Sequence, residues 1–160
     1  MPVVESRLTV PVDPETAFAV SQTTGAIRLR WDPFIRRQRF LDGAAVAAKG
    51  VRTETVQRFG LRMVTRYVSY NPPTNVGMVM LEGSWFFEKF GAGWRFSPVP
   101  GDDERTLAVW RYNFSCTPRW LAPIAERIGA FVLQRDIDRR IEGFARGCSD
   151  PEVLAAVRRR

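Results

Sequence analysis

The sequence predicts an α+β domain. A first strand is followed by a short helical region, then by a long antiparallel meander and finally by a long helix. Three observations support this prediction. Asp13-Pro14-Glu15 is a helix start. Residues 35–115 have a strand-like pattern with turn signals at short intervals, and the remainder, which starts at Thr117-Pro118, has helical periodicity. With 160 residues, 45% of them apolar, the chain is long enough for one domain with a substantial core.

The opening is predicted to contain one strand and two short helices. Ser6–Val12 alternates as a strand. Asp13 then suits the N-cap of a helix and Pro14 its first position. A second short helix is predicted over Ala26–Arg30, and Asp32, which precedes a proline, is expected to be a turn or cap residue.

The meander is predicted to form six or seven antiparallel strands. Asp42-Gly43 and Asn71-Pro72-Pro73 are turn or loop signals, and Gly91-Ala92-Gly93 is interpreted as a hairpin turn. The predicted strands are Ile35–Leu41, Val51–Phe59, Leu61–Tyr70, Val76–Glu82, Ser84–Phe90, Trp94–Val99 and Thr106–Cys116.

Charged residues indicate which face of one strand is buried. Arg62 and Arg66 are expected to face water, which turns Met63, Thr65 and Tyr67 inward.

The last strand leaves two alternatives open. Either its aromatic residues point inward and its polar residues outward, or the reverse; the two sets are Trp110, Tyr112 and Phe114, and Val109, Arg111 and Asn113.

The long C-terminal helix carries apolar residues on two opposite sides. One side carries Trp120, Leu121, Ile124, Ile128, Phe131 and Val132, and the other carries Leu133, Ile137, Ile141 and Phe144. A surface helix keeps one apolar stripe, so either the helix bends at Gly129 or its middle is enclosed on both sides. Residues 1–148 are therefore interpreted as one domain, and residues 149–160 as a short terminal helix or a frayed basic tail.

Composition excludes several classes of protein. There is no histidine, which excludes a Ser-His-Asp triad and any histidine-ligated metal site. Two cysteines cannot form a four-cysteine zinc site, so we expect neither a metal nor a cofactor. The net charge is +7, but its arginines are spread along the chain, which favours a solvated basic surface over a nucleic-acid interface. The N-terminus does not resemble a signal peptide and no apolar run could span a bilayer, so a cytoplasmic location is expected.

The order of elements resembles the START-like helix-grip fold of the SRPBCC superfamily, and within it the polyketide cyclase/dehydrase and lipid-transport group. The resemblance covers roughly residues 5–146 and is carried by Val12–Phe18, Trp31–Ile35 and the pair Gly93–Val99 and Arg105–Tyr112. It implies a seven-stranded sheet curled around the long helix, with an apolar cavity between them. Members bind lipids, sterols, quinones or polyketides, and some are cyclases.

The cavity is expected to bind an apolar or aromatic small molecule of the lipid, quinone or polyketide type. Aromatic residues make 12% of the chain, and methionines follow two neighbouring strands. Thr65 and Tyr67 would orient the ligand by hydrogen bonds, and Thr53, Thr55 and Gln57 form a second polar face. The expected ligand-binding residues are Trp31, Phe34, Met63, Thr65, Tyr67, Met78, Met80, Trp85, Phe87, Trp94, Trp110, Tyr112, Ile128 and Val132.

Two other functions stay open at this point. The same cavity could serve a cyclase/dehydratase-type enzyme, since Glu82, Tyr67, Tyr112 and Arg111 could move protons or hold an enolate, as could Arg66. An ionisable group inside the cavity would favour the enzyme. The third hypothesis is a basic interaction protein that has no small-molecule ligand.

Overall fold

A computed structural model describes residues 1–159, and the helices and strands follow the predicted order. The strands are β1 (Val3–Val10), β2 (Ile35–Phe40), β3 (Arg52–Gln57), β4 (Arg62–Asn71), β5 (Asn75–Glu82), β6 (Phe87–Val99) and β7 (Asp102–Cys116). The helices are α1 (Pro14–Ser21), α2 (Gly25–Trp31), α3 (Ala122–Gly147) and α4 (Pro151–Arg158).

The seven strands that lie within residues 1–159 form one antiparallel sheet in the order β1-β7-β6-β5-β4-β3-β2. Register shifts between Val64 and Thr65, and between Tyr67 and Ser69, interrupt the pairing of β4 with β5. Such bulges increase local twist. The sheet curls, and α3 packs inside it against β1 and β7. The predicted α+β class and helix-grip architecture are therefore confirmed.

The prediction of a hairpin turn at Gly91-Ala92-Gly93 is wrong. These residues lie in the middle of β6, which runs unbroken from Phe87 to Val99 and pairs with β7 over its whole length. Glycine suits a close approach here, because a Cβ at Gly91 would require the exposed Asn113 side chain to move. A Cβ at Gly93 would lie 3.2 Å from the Val76 carbonyl oxygen.

Strand β7 turns its aromatic residues inward, which settles the alternative left open by its sequence. Trp110, Tyr112 and Phe114 are buried, whereas Arg111 and Asn113 are exposed. The register of β6 places Ala92 opposite Tyr112, so this small residue leaves room beside the ring on the inner face.

Only one of the two apolar sides of α3 is buried. Ile137, Ile141 and Phe144 face the core, whereas Ile124, Ile128 and their neighbours on the other side are exposed. The helix continues through Gly129, and enclosure of its middle on both sides is wrong, because nothing in residues 1–159 covers its outer side. Gly143 and Gly147 bring the C-terminal half of α3 against Trp31; a Cβ at Gly147 would lie 2.9 Å from the Trp31 Cβ.

The short helices close one end of the sheet. Asp13 caps α1 as predicted, its Oδ1 accepting from the Thr16 N–H at 3.0 Å. Asp150 caps α4 in the same way, accepting from the Glu152 N–H at 2.9 Å. Within residues 1–159, none of the helices combines the length and apolar character needed to cross a bilayer.

Candidate functional site

A cavity of about 120 Å³ lies between the inner face of the sheet and α3, and the segment from Ser21 to Phe34 closes one side. It approaches the roughly 150 Å³ of an engineered apolar cavity that binds benzene. A ligand of several rings would therefore extend beyond it toward the opening. Most of its wall is apolar or aromatic, formed by Phe34, Ile35, Met63, Val76, Met78, Phe87, Phe90, Ala92, Trp94, Trp110 and Leu133.

The aromatic part of the wall is packed ring against ring. Trp94 and Trp110 stack with centroids 4.0 Å apart and an interplanar angle of 24°. Phe90 lies 5.2 Å from the Tyr112 ring. Because these rings are held by β6 and β7 and packed against each other, they present a rigid surface on which a flat apolar molecule could stack.

Beside these rings lies a buried charged cluster of Arg28, Asp32 and Arg140, of which the two arginines line the cavity. Asp32 accepts from Arg140 Nε at 3.1 Å and Nη2 at 2.7 Å, and from Arg28 Nε at 3.0 Å. The Asp32 side chain has no exposed surface. Two cations against one carboxylate leave the cluster with one excess positive charge. Burial alone would raise the pKa of Asp32, but the neighbouring charges of Arg140 and Arg28 hold it below its ordinary value.

The Arg140 guanidinium connects this cluster to the cavity. Its Cζ lies 4.2 Å from the Trp110 ring centroid and 4.5 Å from that of Phe34. Its Nη1 donates to the Tyr112 hydroxyl oxygen, so the Tyr112 proton remains able to donate elsewhere. Arg140, Trp110, Phe34 and Tyr112 all line the cavity, whereas Asp32 stands behind them.

Two tyrosine hydroxyls and a threonine hydroxyl supply further polar groups. Burial raises the pKa of both Tyr67 and Tyr112 to about 12, so both are protonated at neutral pH. The Tyr67 hydroxyl donates to Gln22 Oε1 at 3.0 Å. The Thr65 hydroxyl is buried in the wall without a hydrogen-bond partner. Buried polar atoms are rarely left unpaired, so this group is a candidate contact for a polar atom of a ligand.

One carboxyl group also lines the cavity. Asp136 lies on α3 one turn before Arg140 and is half-buried. Burial raises its pKa above the ordinary value, although Arg140 and Arg139 oppose the shift. The cavity therefore contains an acid as well as a guanidinium and protonated tyrosines, the kinds of groups that polarise carbonyls and move protons.

Eight of the nine strand residues expected to bind ligand reach the cavity, Met80 being the exception, and of the five other expected residues only Phe34 does. The lining includes Phe34, Met63, Thr65, Tyr67, Met78, Phe87, Trp94, Trp110 and Tyr112. Thr55 and Gln57 line it as well. The lining does not include Trp31, Met80, Trp85, Ile128 and Val132.

Different structural reasons keep these five residues out of the cavity lining. Trp31 is buried against α3 and donates from Nε1 to Thr23 Oγ1 at 2.9 Å. Met80 places its sulfur beside Gly83. Trp85 lies in the connection before β6 and is 80% exposed, and Ile128 and Val132 lie on the outer side of α3.

Some of the candidate catalytic residues also line the cavity, and the others point outward. Tyr67 and Tyr112 line the cavity. The inward orientation considered for Glu82 is wrong, because its side chain is 60% exposed and pairs with Arg62 at 2.9 Å. Arg111 also points outward and pairs with Glu5 at 3.0 Å, and Arg66 is exposed.

Sequence reasoning missed the charged cluster. Asp32 was expected to be a turn or cap residue; it does accept from the Phe34 N–H at 3.1 Å, but its main partners are the two arginines. Arg28 and Asp32 are separated by four positions, which brings them together on a helix, and this spacing was the available signal. Nothing in the sequence places Arg140, 108 positions further along, beside them.

The architecture and cavity define a helix-grip protein: an antiparallel sheet that curls around a C-terminal helix and encloses a mainly apolar space. The family model described as polyketide cyclase / dehydrase and lipid transport matches residues 1–148, and the chain belongs to this family. A search of curated protein sequences finds no match.

Solved structures share the fold at low sequence identity. The Zhui aromatase/cyclase from Streptomyces sp. R1128 is 17% identical, with a TM-score of 0.74 over 92% of this chain and 93% of that one. A START superfamily protein from Mycobacterium smegmatis is 14% identical, with a TM-score of 0.70 over 90% of this chain and 97% of that one. XoxI from Bacillus cereus is 10% identical, with a TM-score of 0.74 over 95% of this chain and 99% of that one.

Proposed function

We propose that the protein binds an apolar or aromatic small molecule of the lipid, quinone or polyketide type in the cavity between sheet and α3. The observation that carries this proposal is an aromatic cavity whose wall contains hydrogen-bond donors. The rings of Trp94, Trp110 and Phe90 would stack on the apolar part of the ligand. Tyr112, Thr65 and Arg140 would meet its oxygen-bearing end.

The polar end sets the orientation of the ligand. The cluster has an excess positive charge, and the Tyr112 hydroxyl beside Arg140 has a proton to donate. Both features favour a carbonyl, phenol, enol or carboxyl oxygen at this point over a cationic or purely hydrocarbon group. Family membership and the resemblance of the fold to a START superfamily protein support hydrophobic ligand binding.

Native mass spectrometry of freshly purified protein, followed by organic extraction, tests the proposal. We expect a co-purifying molecule, or a bound quinone or polyphenol after incubation. Ala92→Phe would fill the cavity from β6 and abolish the bound mass, because Ala92 is part of its wall. Val109→Phe on the outer face of β7 is the matched control. Loss of ligand in both variants, or in neither, would contradict binding in this cavity.

A cyclase/dehydratase-type enzyme is the second candidate, and Asp136 favours it. This acid lines the same space as Arg140 and Tyr112, which meets the requirement for an ionisable group inside the cavity. The guanidinium and the hydroxyl would polarise a carbonyl while the carboxyl group moved a proton. A similar fold occurs in an aromatase/cyclase. Prolonged incubation separates the functions, since a carrier returns its ligand unchanged and an enzyme converts it.

A further inference from the structure

Six of the exposed large apolar side chains lie at one end of the molecule. Trp85 is 80% exposed and Trp120 is 82% exposed. Ile124, Ile128 and Phe131 form a stripe along the outer side of α3, each more than 60% exposed, and Val132 beside them is 49% exposed. We refer to these six residues as the tryptophan face. Exposed apolar surface on this scale marks an interaction site.

The topology holds the parts of the tryptophan face together. The end of β5, the start of β6 and the end of β7 lie at the same end of the sheet. The connection that carries Trp85 therefore lies beside the start of α3. The Thr117 N–H donates to the Phe86 carbonyl at 2.9 Å, and Arg119 pairs with Glu88 at 3.3 Å.

Positive charge predominates on this face, although Glu88 pairs with Arg119. Residues 119–135 contain three arginines, Arg119, Arg127 and Arg135, and a single acid, Glu126. All three arginines are exposed, whereas Glu126 turns toward β7 and accepts from the Cys116 N–H at 3.2 Å. The Arg135 guanidinium lies 5.5 Å from the ring centroid of Phe131, so a cation and an apolar ring share one patch.

We propose that the tryptophan face docks on the surface of an anionic lipid bilayer. Exposed tryptophans on a helix start and an adjacent loop suit the boundary between headgroups and acyl chains. The isoleucines and Phe131 would enter the outer acyl region, while the three arginines would contact lipid phosphates. This inference goes beyond the proposed function and does not depend on it, although Leu133 and Phe87 connect this end to the cavity wall.

A second copy of the chain fits this surface less well. In a two-fold dimer the same patch forms both sides of the interface, so six arginines would be brought together in it. The exposed side of residues 119–135 carries no acid, and Glu88, which pairs with Arg119 at 3.3 Å, would neutralise one of the three arginines in each copy. The cores of protein interfaces are depleted of charge, whereas an anionic membrane surface is complementary to this arrangement.

Vesicle co-sedimentation of the full chain tests the proposal. We expect binding to vesicles of phosphatidylcholine with 30% phosphatidylserine, weakening with salt, and little binding to pure phosphatidylcholine. Brominated lipid should quench the exposed Trp85 and Trp120 but not Trp31, Trp94 and Trp110, which are at most 6% exposed. The variant Trp85→Ser/Trp120→Ser should lower the affinity at least tenfold.

A matched pair of charge variants separates this face from the overall net charge. Arg119→Gln/Arg127→Gln/Arg135→Gln should weaken binding by about a hundredfold, roughly fivefold for each arginine. The control, Arg66→Gln/Arg95→Gln/Arg105→Gln, loses the same charge from exposed strand positions and should bind almost as the wild type does. Absence of binding or of tryptophan quenching would overturn the proposal, as would equal losses in the two triple variants. A dimer that light scattering detects and that Trp120→Ser dissociates would overturn it in favour of a second copy.

Discussion

Removing the Asp32 carboxylate, which stands at the centre of the charged cluster behind the cavity wall, should strongly destabilise the fold. Asp32→Asn keeps the size of the side chain but leaves Arg28 and Arg140 without an anion. Their side chains are 8% and 10% exposed, so water cannot replace the lost charge. Breaking a buried ion pair by removing one partner costs about 3–5 kcal/mol, and here one carboxylate serves two cations.

That cost is a large fraction of the roughly 5–15 kcal/mol that stabilises a typical domain. For a chain of this size it corresponds to a fall in Tm of about 6–20 °C. Thermal and urea unfolding followed by circular dichroism measure the change. The control is Arg30→Gln, which removes ion pairs to Asp150 at 2.9 Å and Glu152 at 2.8 Å on the surface. Surface pairs contribute about 1 kcal/mol or less.

The double variant Asp32→Asn/Arg140→Met supplies a further check. Removing one cation together with the anion reduces the uncompensated charge, so the double variant should lose less stability than the sum of the two single variants. An Asp32→Asn variant as stable as Arg30→Gln would refute a structural role for the buried carboxylate. The reasoning would also be refuted if the two cluster substitutions were additive, because the charges would then not be coupled.

Two further predictions concern pH and helix packing. The folded-state pKa of Asp32 lies below its ordinary value, so its contribution is present above about pH 3.9 and is lost as pH falls through the lower, folded-state pKa. Melting curves between pH 7 and pH 2.5 should therefore fall more steeply below pH 4 in the wild type than in Asp32→Asn, and parallel curves would contradict this assignment. Gly143→Ala should destabilise the fold by about 1–3 kcal/mol despite the better helix propensity of alanine, because its Cβ would collide with the Trp31 backbone carbonyl. Gly129→Ala, whose Cβ would lie 3.0 Å from the Phe114 ring and not against backbone, should cost less in the same urea titration.

Local signals predicted the order of the elements because each depends on a few neighbouring residues. The Asp13-Pro14 helix start and the alternation around Met63, Thr65 and Tyr67 are of this kind, and the structure contains both. The prediction of a turn at Gly91–Gly93 failed because the same residue type serves two purposes. Glycine permits a tight turn, but it also permits close approach of a side chain or strand, and only the partner across the sheet decides between them.

Apart from Phe34, the candidate site was predictable only where it lies on strands. Alternation places Met78 and Trp94 inside once one face of a strand is known. The apolar residues of α3 lie on two opposite faces. The sequence could not show that the face with Leu133 would line the cavity and that the face with Val132 would be exposed. The charged cluster depends on contacts over more than 100 positions, which no local pattern records.

The charged cluster holds parts of the fold together, and it also forms a preorganised polar part of the cavity wall. A buried carboxylate between two guanidiniums is rarely more stable than apolar packing of the same volume, so stability alone does not account for it. Asp32 and the rings of Trp110 and Phe34 hold the Arg140 guanidinium at a fixed angle beside the Tyr112 hydroxyl. A ligand oxygen that reaches these donors meets groups that lose little further freedom on binding. The rigidity of the cluster would therefore favour affinity and orientation whether the bound molecule is carried or converted.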